Sequence, residues 1–259
     1  MGNGRLRALE PTARLAGSAS GGDVLVIGSG PSAAGLKSSE VTARQRSGSL
    51  VVVATNYFLR SDLAKTITPN YLVWSDDVFH PSHPDAAAAW EELGQRPSVT
   101  VVSPWTWKRD IDARGVTNPV IYFDDDTLEG WSSNTSPLHP RGYQGSTGAK
   151  ALAFGVHLGG AETFVIGLDL SAYTTFSVDP KNRIHRGPAH IDGADSGTKD
   201  ITEYTINGIA DLIYSASNEF LYLRRLFSDH NVTNLAGNSL VDAFPKVTEH
   251  PLMKKPRRR

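Results

Sequence analysis

A glycine-rich turn, Gly28-Ser29-Gly30-Pro31-Ser32, follows a short apolar run and is the first segment suited to holding a ligand. Glycines allow a sharp turn without Cβ clashes, and the N–H groups of such a turn, with the dipole of a following helix, can face a phosphate. The turn is not the usual Gly-x-Gly-x-x-Gly dinucleotide motif, because Ala33 occupies the third glycine position. We predict a phosphate-holding turn, and a purely structural connection is the alternative.

Polar residues also follow the second apolar run and precede an alanine-rich segment. Asn56 comes at the end of the second run, where its amide is suited to a base or a ribose, or else to capping the next segment. Ser146, Thr147 and Gly148 begin a helical pattern whose capped start leaves N–H donors for an anion or a carboxylate. An ordinary capped helix explains the same three residues.

Four metal-ligating side chains lie close together after the third apolar run. They are Asp76 and Asp77, followed by His80 and His83. Their spacing matches no strict ligand motif, and the prolines among them favour a loop. Metal binding is therefore the less favoured interpretation of this segment.

The segment from Ser171 to Lys199 is long, polar and rich in turn residues, which is typical of a lid or a binding loop. It carries Tyr173, His185 and His190 together with arginines and aspartates, a mixture able to neutralise phosphate and to move protons. A solvated surface histidine is the alternative for His185 and for His190.

Short β-branched runs alternate with helical patterns along the chain. This alternation predicts an α/β fold of Rossmann-like architecture, a mostly parallel twisted sheet with helices on both faces, and ligands beyond the carboxyl ends of its strands. An apolar stripe that includes Ile209, Ile213, Leu223 and Phe227 predicts one long helix over 200–228. The predicted strands are 23–28, 49–55, 71–74, 99–102, 119–123, 163–169 and 232–236, and the other predicted helices are 85–93 and 147–158.

Length and composition bound the class of protein. The 259 residues suit one large α/β domain, and a net charge of -1 from 26 basic and 27 acidic residues gives no field for nucleic acid. There is no cysteine for disulfide or thiolate chemistry. No apolar run reaches the roughly 18 to 20 residues of a membrane helix. We predict a cytoplasmic protein with a flexible leader (1–22), a single domain (23–245) containing a lid, and a basic tail (246–259). Homo-oligomerisation and peripheral membrane contact stay open.

Taken in order, several segments resemble the bacterial sialyltransferases of glycosyltransferase family 42, which use CMP-sialic acid. The resemblance covers most of residues 23–245. Its landmarks are GSGPS, TNYF, STGAKALAFGVHLGGAETFVIGLDL, the histidine-bearing lid that runs into a long helix, and NLAGNSLVDAF.

The resemblance also implies roles for individual residues. Ser29 matches the family's phosphate-contacting asparagine, and Asn56 matches its nucleotide-contacting asparagine. Thr147 matches a serine near the donor, Asn238-Ser239 match an Asn-Ser pair near the last strand, and Asp169 closes a Gly-x-Asp turn.

The chain departs from this family at three functional positions. Gln144 stands where the family has an arginine, and Tyr173 is an imperfectly placed counterpart of its phosphate-binding tyrosines. The general-base histidine of the family aligns with 194–195, so that the base here is His190 or His185, or the fold serves another purpose.

The function implied by the resemblance is glycosyl transfer. A CMP-activated, sialic acid-like sugar would pass by direct displacement to a hydroxyl of a glycan or small acceptor, without a metal or other cofactor. A second resemblance is to MptE-like and motility-accessory proteins, which share the Gly-x-Gly-Pro-Ser turn and the later Gly-x-Asp strand. A pyrophosphokinase of that kind would need Mg²⁺ on Asp76 and Asp77. The third alternative is a non-catalytic nucleotide-binding protein.

Overall fold

The computed structural model describes residues 2–125, 134–139, 145–187, 198–247 and 249–255. The strands are β1 (Asp23–Ile27), β2 (Leu50–Thr55), β3 (Tyr71–Val73), β4 (Thr100–Pro104), β5 (Val120–Phe123), β6 (Thr163–Ile166), β7 (Phe176–Val178), β8 (Ile184–Arg186), β9 (Lys199–Asp200) and β10 (Val232–Asn234). The α-helices are α1 (Gly2–Ala13), α2 (Ser38–Arg46), α3 (Ala86–Gly94), α4 (Lys108–Arg114), α5 (Thr147–His157) and α6 (Ile209–Phe227).

Seven strands form one parallel sheet in the order β10-β6-β1-β2-β3-β4-β5. Successive side chains of a strand point to opposite faces, and in β1 Leu25 packs into one apolar cluster while Val24 and Val26 pack into another. Helices α2 and α3 contribute to the first cluster, and α5 and α6 to the second. The predicted Rossmann-like α/β fold is confirmed.

The strand order reverses between β1 and β6. From β1 the chain adds strands in one direction as far as β5, and it then returns to place β6 on the other side of β1. Ligands of open α/β sheets bind outside the carboxyl ends of the strands at such a switch point. The turn after β1 lies at this position.

The first helix corrects the prediction of a flexible leader. Ala8, Leu9 and Thr12 of α1 are buried, and the Thr12 hydroxyl donates to the Tyr122 carbonyl at 2.6 Å. Helix α1 therefore covers β5, an edge strand that would otherwise present unpaired backbone groups. Its stability depends on this tertiary contact, which the mixed sequence of the segment does not reveal.

The segment after residue 245 is likewise more than a basic tail. Leu252 is fully buried, and Met253 forms a bridge with Leu36. The Lys254 ammonium donates to the Ala34 carbonyl at 2.7 Å. Residues 249–255 therefore pack on the segment between β1 and α2, because Leu252 has an apolar site to fill there.

Two further predictions about the second half of the chain are corrected. The segment predicted as a loop contains an antiparallel sheet of β7, β8 and β9, and residues 188–197 lie outside the described residues. The helix predicted over 200–228 begins only at Ile209, because Gly208 has a φ of 62° that interrupts it. Ile213 is 53% exposed whereas Leu223 is buried, so only the second half of the apolar stripe packs on the core.

Candidate functional site

A cavity of about 240 Å³ opens at the switch point. It is formed by the segments that follow β1, β2, β3 and β6, together with the start of α5. Most of the predicted nucleotide-binding residues meet here. The lining residues are Gly28, Ser29, Gly30, Thr55, Asn56, Asp76, Ser146, Thr147, Gly148, Gly167, Leu168, Asp169, Leu170 and Ser171.

The turns after β1 and β6 touch each other through their backbones. A Cβ atom added to Gly28 would lie 2.3 Å from the Gly167 carbonyl oxygen, and one added to Gly167 would lie 2.3 Å from the Gly28 carbonyl oxygen. Gly167 also has a φ of 73°, which side chains other than glycine rarely adopt. These glycines are therefore needed to bring the two turns together.

The contact between the turns after β1 and β6 also involves N–H groups that we predicted to bind phosphate. Gly28 and Gly30 donate to backbone carbonyls of the β6 segment, each at 2.8 Å. The Ser32 N–H donates to Asp169 Oδ2 at 2.8 Å, and the Ser32 hydroxyl accepts from the Gly167 N–H at 2.9 Å. The N–H groups of Gly28, Gly30 and Ser32 therefore already have acceptors within the protein and are not free to bind a phosphate, whereas the Ser29 N–H makes none of these bonds.

The turns after β1 and β6 form one wall of the cavity, and Asp169 provides a hydrogen-bond acceptor there. The residue is only 5% exposed, and its Oδ1 is buried without a hydrogen-bond partner among the described residues. A buried carboxylate oxygen without a donor is costly, and a nearby phosphate would add repulsion between like charges. This wall is therefore suited to ligand hydroxyl or amino groups that donate hydrogen bonds.

Asn56 presents a second acceptor from the end of β2. Its φ of 49° is left-handed, a conformation that is uncommon outside glycine and that clusters at functional sites. The Trp74 indole N–H donates to the Asn56 carbonyl at 2.9 Å and helps to hold this conformation. Asn56 Oδ1 is buried and has no partner in the described part of the chain. A hydrogen-bond donor on a ligand would satisfy Asn56 Oδ1 as well.

The opposite wall is the start of α5. Ser146 caps the helix by accepting from the Ala149 N–H at 3.1 Å, and the Thr147 hydroxyl donates to Asp76 Oδ1 at 2.7 Å. The N–H groups of Thr147 and Gly148 belong to the first helical turn, where the backbone has no intrahelical acceptor and the dipole is positive. The start of the helix favours anionic groups on this side, and the Asp76 carboxylate on the same wall opposes them.

Lys150 follows the lining residues of α5 without lining the cavity itself, and sequence reasoning missed it. Burial lowers the pKa of its ammonium, while Asp76, Asp125 and Glu219 act in the opposite direction. No carboxylate lies within ion-pair distance among the described residues, and the ammonium stands 5.9 Å from the Phe123 ring centre. A lysine in the first turn opposes the helix dipole, which was a signal available in the sequence.

Glu219 of α6 is the other residue that sequence reasoning missed. It is 9% exposed and accepts from the Ser146 hydroxyl that also caps α5. Burial raises the pKa of Glu219, and the hydrogen bonds from Ser146 oppose that rise. The carboxylate therefore ties α6 to the start of α5, but nothing in its sequence context distinguishes it from a surface glutamate.

Glu219 makes stability depend on pH. Because its pKa is raised on folding, the unfolded chain ionises first as the pH rises, and the free energy of unfolding falls until the folded-state pKa is passed. Glu219→Gln should remove this loss, so the variant gains stability relative to the wild type as the pH rises. Urea unfolding between about pH 4 and pH 8 measures the difference. Exposed Glu203→Gln is the control, and a Glu219→Gln effect that is constant with pH would contradict the prediction.

Some predicted residues lie behind the cavity. Ser239 is buried and its hydroxyl donates to the Leu168 carbonyl at 3.2 Å, whereas Asn238 is exposed. The Leu240 N–H donates to the Asp169 carbonyl at 3.2 Å. Neither Asn238 nor Ser239 lines the cavity, and Ser239 instead holds the turn after β6 in place.

The candidate residues of the predicted lid differ in their position relative to the cavity. His185 lies on β8, where its Nε2 is 3.2 Å from Asp179 Oδ2, and it does not line the cavity. The backbone at Tyr173 forms a short 3-10 turn directly after Ser171, which does line it. His190 lies outside the described residues.

The acidic and histidine residues after β3 are not assembled into a metal centre. In the described ranges no group of three histidine, aspartate or glutamate side chains is placed to hold a metal ion. His80 instead contacts Ser82 at 2.7 Å, and Asp76 accepts from Thr147. Among the described residues, no third such side chain joins Asp76 and Asp77, the Mg²⁺ ligands of the pyrophosphokinase alternative.

Comparison with known proteins supports the fold. No protein-family model and no curated protein matches the chain. Among solved structures it is similar to one titled "Structure of MAf glycosyltransferase from Magnetospirillum magneticum AMB-1", with a TM-score of 0.51 and 14% identity. The match covers 94% of this chain and 38% of that one, so this chain spans well under half of that protein's length. In the described helices no span long and apolar enough to cross a membrane is found.

Proposed function

We propose that the switch-point cavity binds a CMP-activated sugar and that the chain transfers this sugar to a hydroxyl acceptor. The observation that carries the proposal is the division of the cavity into two walls of opposite character. On one wall the buried oxygens Asp169 Oδ1 and Asn56 Oδ1 have no donor among the described residues, and on the other the start of α5 presents N–H donors. A nucleotide sugar has the matching division, because hydroxyl and amino donors lie at its nucleoside end and a phosphate joins it to the sugar.

In our proposal, the different character of the two walls sets the orientation of the nucleotide sugar. The hydroxyl and amino groups of cytidine donate to Asp169 Oδ1 and Asn56 Oδ1. The phosphate lies against the N–H groups of Thr147 and Gly148, and Lys150, two residues further along α5, is the proposed cation. The sequence assigned the phosphate to the turn after β1, and we move it because the amides of Gly28, Gly30 and Ser32 already donate within the protein.

The proposed chemistry is direct displacement at the anomeric carbon. The acceptor hydroxyl oxygen forms the new bond to that carbon as the bond to the phosphate oxygen breaks, and CMP leaves with the bonding electron pair. A general base takes the hydroxyl proton. The α5 dipole and Lys150 stabilise the charge that develops on the departing phosphate.

The base in this proposal is His190, which lies a few residues before the position where family 42 has its general-base histidine. His185, the second candidate, is hydrogen-bonded to Asp179 and stands away from the lining of the cavity. The sialic acid-like identity of the sugar also rests on that resemblance. Likeness to a glycosyltransferase structure supports the choice of reaction class through the fold.

One observation favours the alternative of a Mg²⁺-dependent pyrophosphokinase. Asp76 and Asp169 both line the cavity, and two carboxylates near a phosphate are typical of a site that also uses a divalent cation. A non-catalytic nucleotide-binding protein is distinguished from both enzymes by tight binding without turnover.

A thermal-shift screen of CMP, CDP, UDP, ATP and GTP, each with and without Mg²⁺, tests the proposed function. A ligand that binds only the folded state raises the apparent melting temperature. We expect stabilisation by cytidine nucleotides that does not require Mg²⁺. A response confined to a purine triphosphate with Mg²⁺ would support the pyrophosphokinase instead, and no response to any nucleotide would reject all three functions.

A further inference from the structure

A second cavity, of about 400 Å³, lies at the opposite edge of the sheet, between α1 and the first residues of β3, β4 and β5. Tyr71 and Thr100 open β3 and β4, and Pro119 directly precedes β5. The switch-point cavity lies at the carboxyl ends of the strands, so the two cavities are separate. A volume of this size is within the range of pockets that bind small molecules.

The floor of this second cavity is apolar. Ile121 is buried, and Tyr71 packs its ring edge-on against Phe154 with 5.0 Å between ring centres. Burial raises the pKa of the Tyr71 phenol, which therefore stays neutral near neutral pH. Within the described ranges its hydroxyl has no hydrogen-bond partner. The floor thus suits an apolar or aromatic body with room for one hydrogen bond.

The rim of the cavity is cationic. Glu10 and Pro11 each lie three or four residues from both Arg7 and Arg14, which places all four on one side of α1 and its continuation. Arg14 pairs with Glu10 at 2.5 Å, and Arg7 has no carboxylate partner in the part of the chain that the structure describes. The rim therefore carries one uncompensated positive charge.

The proline in α1 adds a polar feature to this rim. Pro11 lies inside the helix and has no N–H, so it cannot donate to the Arg7 carbonyl one turn earlier. A proline at this position weakens the helix, and α1 is nevertheless held against β5 by its buried face. Pro11 therefore leaves the Arg7 carbonyl without its usual helical donor. This backbone acceptor lies beside the Arg7 side chain, which has no carboxylate partner among the described residues.

We propose that this cavity, defined by α1 and the starts of β3 to β5, binds a small organic anion with an apolar or aromatic body. The body lies on Tyr71 and Ile121, and the anionic group lies between Arg7 and Arg14. Such a ligand matches both the apolar floor and the positive charge of the rim. Its binding is independent of the nucleotide-sugar site.

The test uses two fluorescent probes of nearly the same shape. The anion is 1-anilinonaphthalene-8-sulfonate, and the uncharged counterpart is N-phenyl-1-naphthylamine. We expect saturable binding of the anion that CMP does not displace. Replacing Arg7 and Arg14 together by alanine should weaken the anion about tenfold and leave the uncharged probe nearly unchanged. Thr100→Phe, which fills the cavity, should weaken both probes.

Two further variants show whether a probe binds outside this cavity. Arg109→Ala removes a highly exposed arginine outside the cavity and should leave both probes unaffected. Ile213→Ser removes part of the exposed apolar stripe on α6. Anion binding that survives Thr100→Phe, that is lost in Ile213→Ser, or that is insensitive to the arginine replacements would overturn the proposal, as would the absence of saturable binding.

Discussion

Gly167→Ala is expected to destabilise the protein by about 3 kcal/mol or more, because two costs coincide at this position. The residue has a φ of 73°, which strains any side chain, and the new Cβ would meet the backbone of Gly28 at 2.3 Å. Relief requires the turns after β1 and β6 to move apart, since the atoms in conflict belong to backbone. Denaturant unfolding monitored by circular dichroism measures the loss.

Gly48→Ala is the matched control for this prediction. Gly48 has a φ of 75°, nearly that of Gly167, but a Cβ added there has nothing within 4 Å. Its replacement should therefore cost only the backbone strain, about 1 kcal/mol. Equal losses for the two variants would mean that the close approach of the turns contributes nothing, and the proposed geometry of the switch-point cavity would fail with it.

Lys150→Met should weaken CMP binding by about 10- to 100-fold while leaving cytidine binding almost unchanged. In our proposal the phosphate of CMP lies near this ammonium, and cytidine lacks the phosphate. The acidic side chains around the cavity make the lysine more important, because Asp76 and Asp169 both repel a phosphate. Calorimetric titration of each variant with both ligands gives the ratio of the two dissociation constants.

Lys108→Met is the control for the lysine. Lys108 also faces an aromatic ring, with its ammonium 5.6 Å from the Tyr122 ring centre, but it pairs with Asp112 and belongs to α4, which contributes no residue to the lining of the cavity. This variant should keep the wild-type ratio of CMP to cytidine affinity. An unchanged ratio in Lys150→Met would remove Lys150 from phosphate binding, whereas an equal loss of both ligands would point to damage of the cavity as a whole.

The sequence predicted the sheet well, because each buried parallel strand leaves a short β-branched run bounded by turn residues. β1 and β2 were found within a residue of their observed ends. The meeting of the β1 turn, Asn56 and the start of α5 also followed, since the carboxyl ends of parallel strands share one edge. These features are local in sequence or follow from topology.

What the sequence did not reveal depends on contacts between distant residues. The Ser32 N–H donates to Asp169, and the N–H groups of Gly28 and Gly30 donate to the backbone of the β6 segment. Only the folded chain shows that these three amides, which were expected to bind phosphate, already have acceptors. Helix α1 was missed because its stability comes from covering β5 rather than from its own periodicity. Glu219 was missed because its burial is set by the packing of α6 on α5.

The most direct test of the proposed donor site is an NMR titration of the isotopically labelled protein with CMP in the presence of EDTA. We predict saturable shifts, with one dissociation constant, for the Asn56 side-chain amide and for the backbone amides of Thr147 and Gly148. Signals from Arg7 and Tyr71 at the second cavity should stay unchanged. Shifts that avoid Asn56 and the start of α5, or the absence of any saturable shift, would contradict the assignment of the switch-point cavity to a cytidine nucleotide.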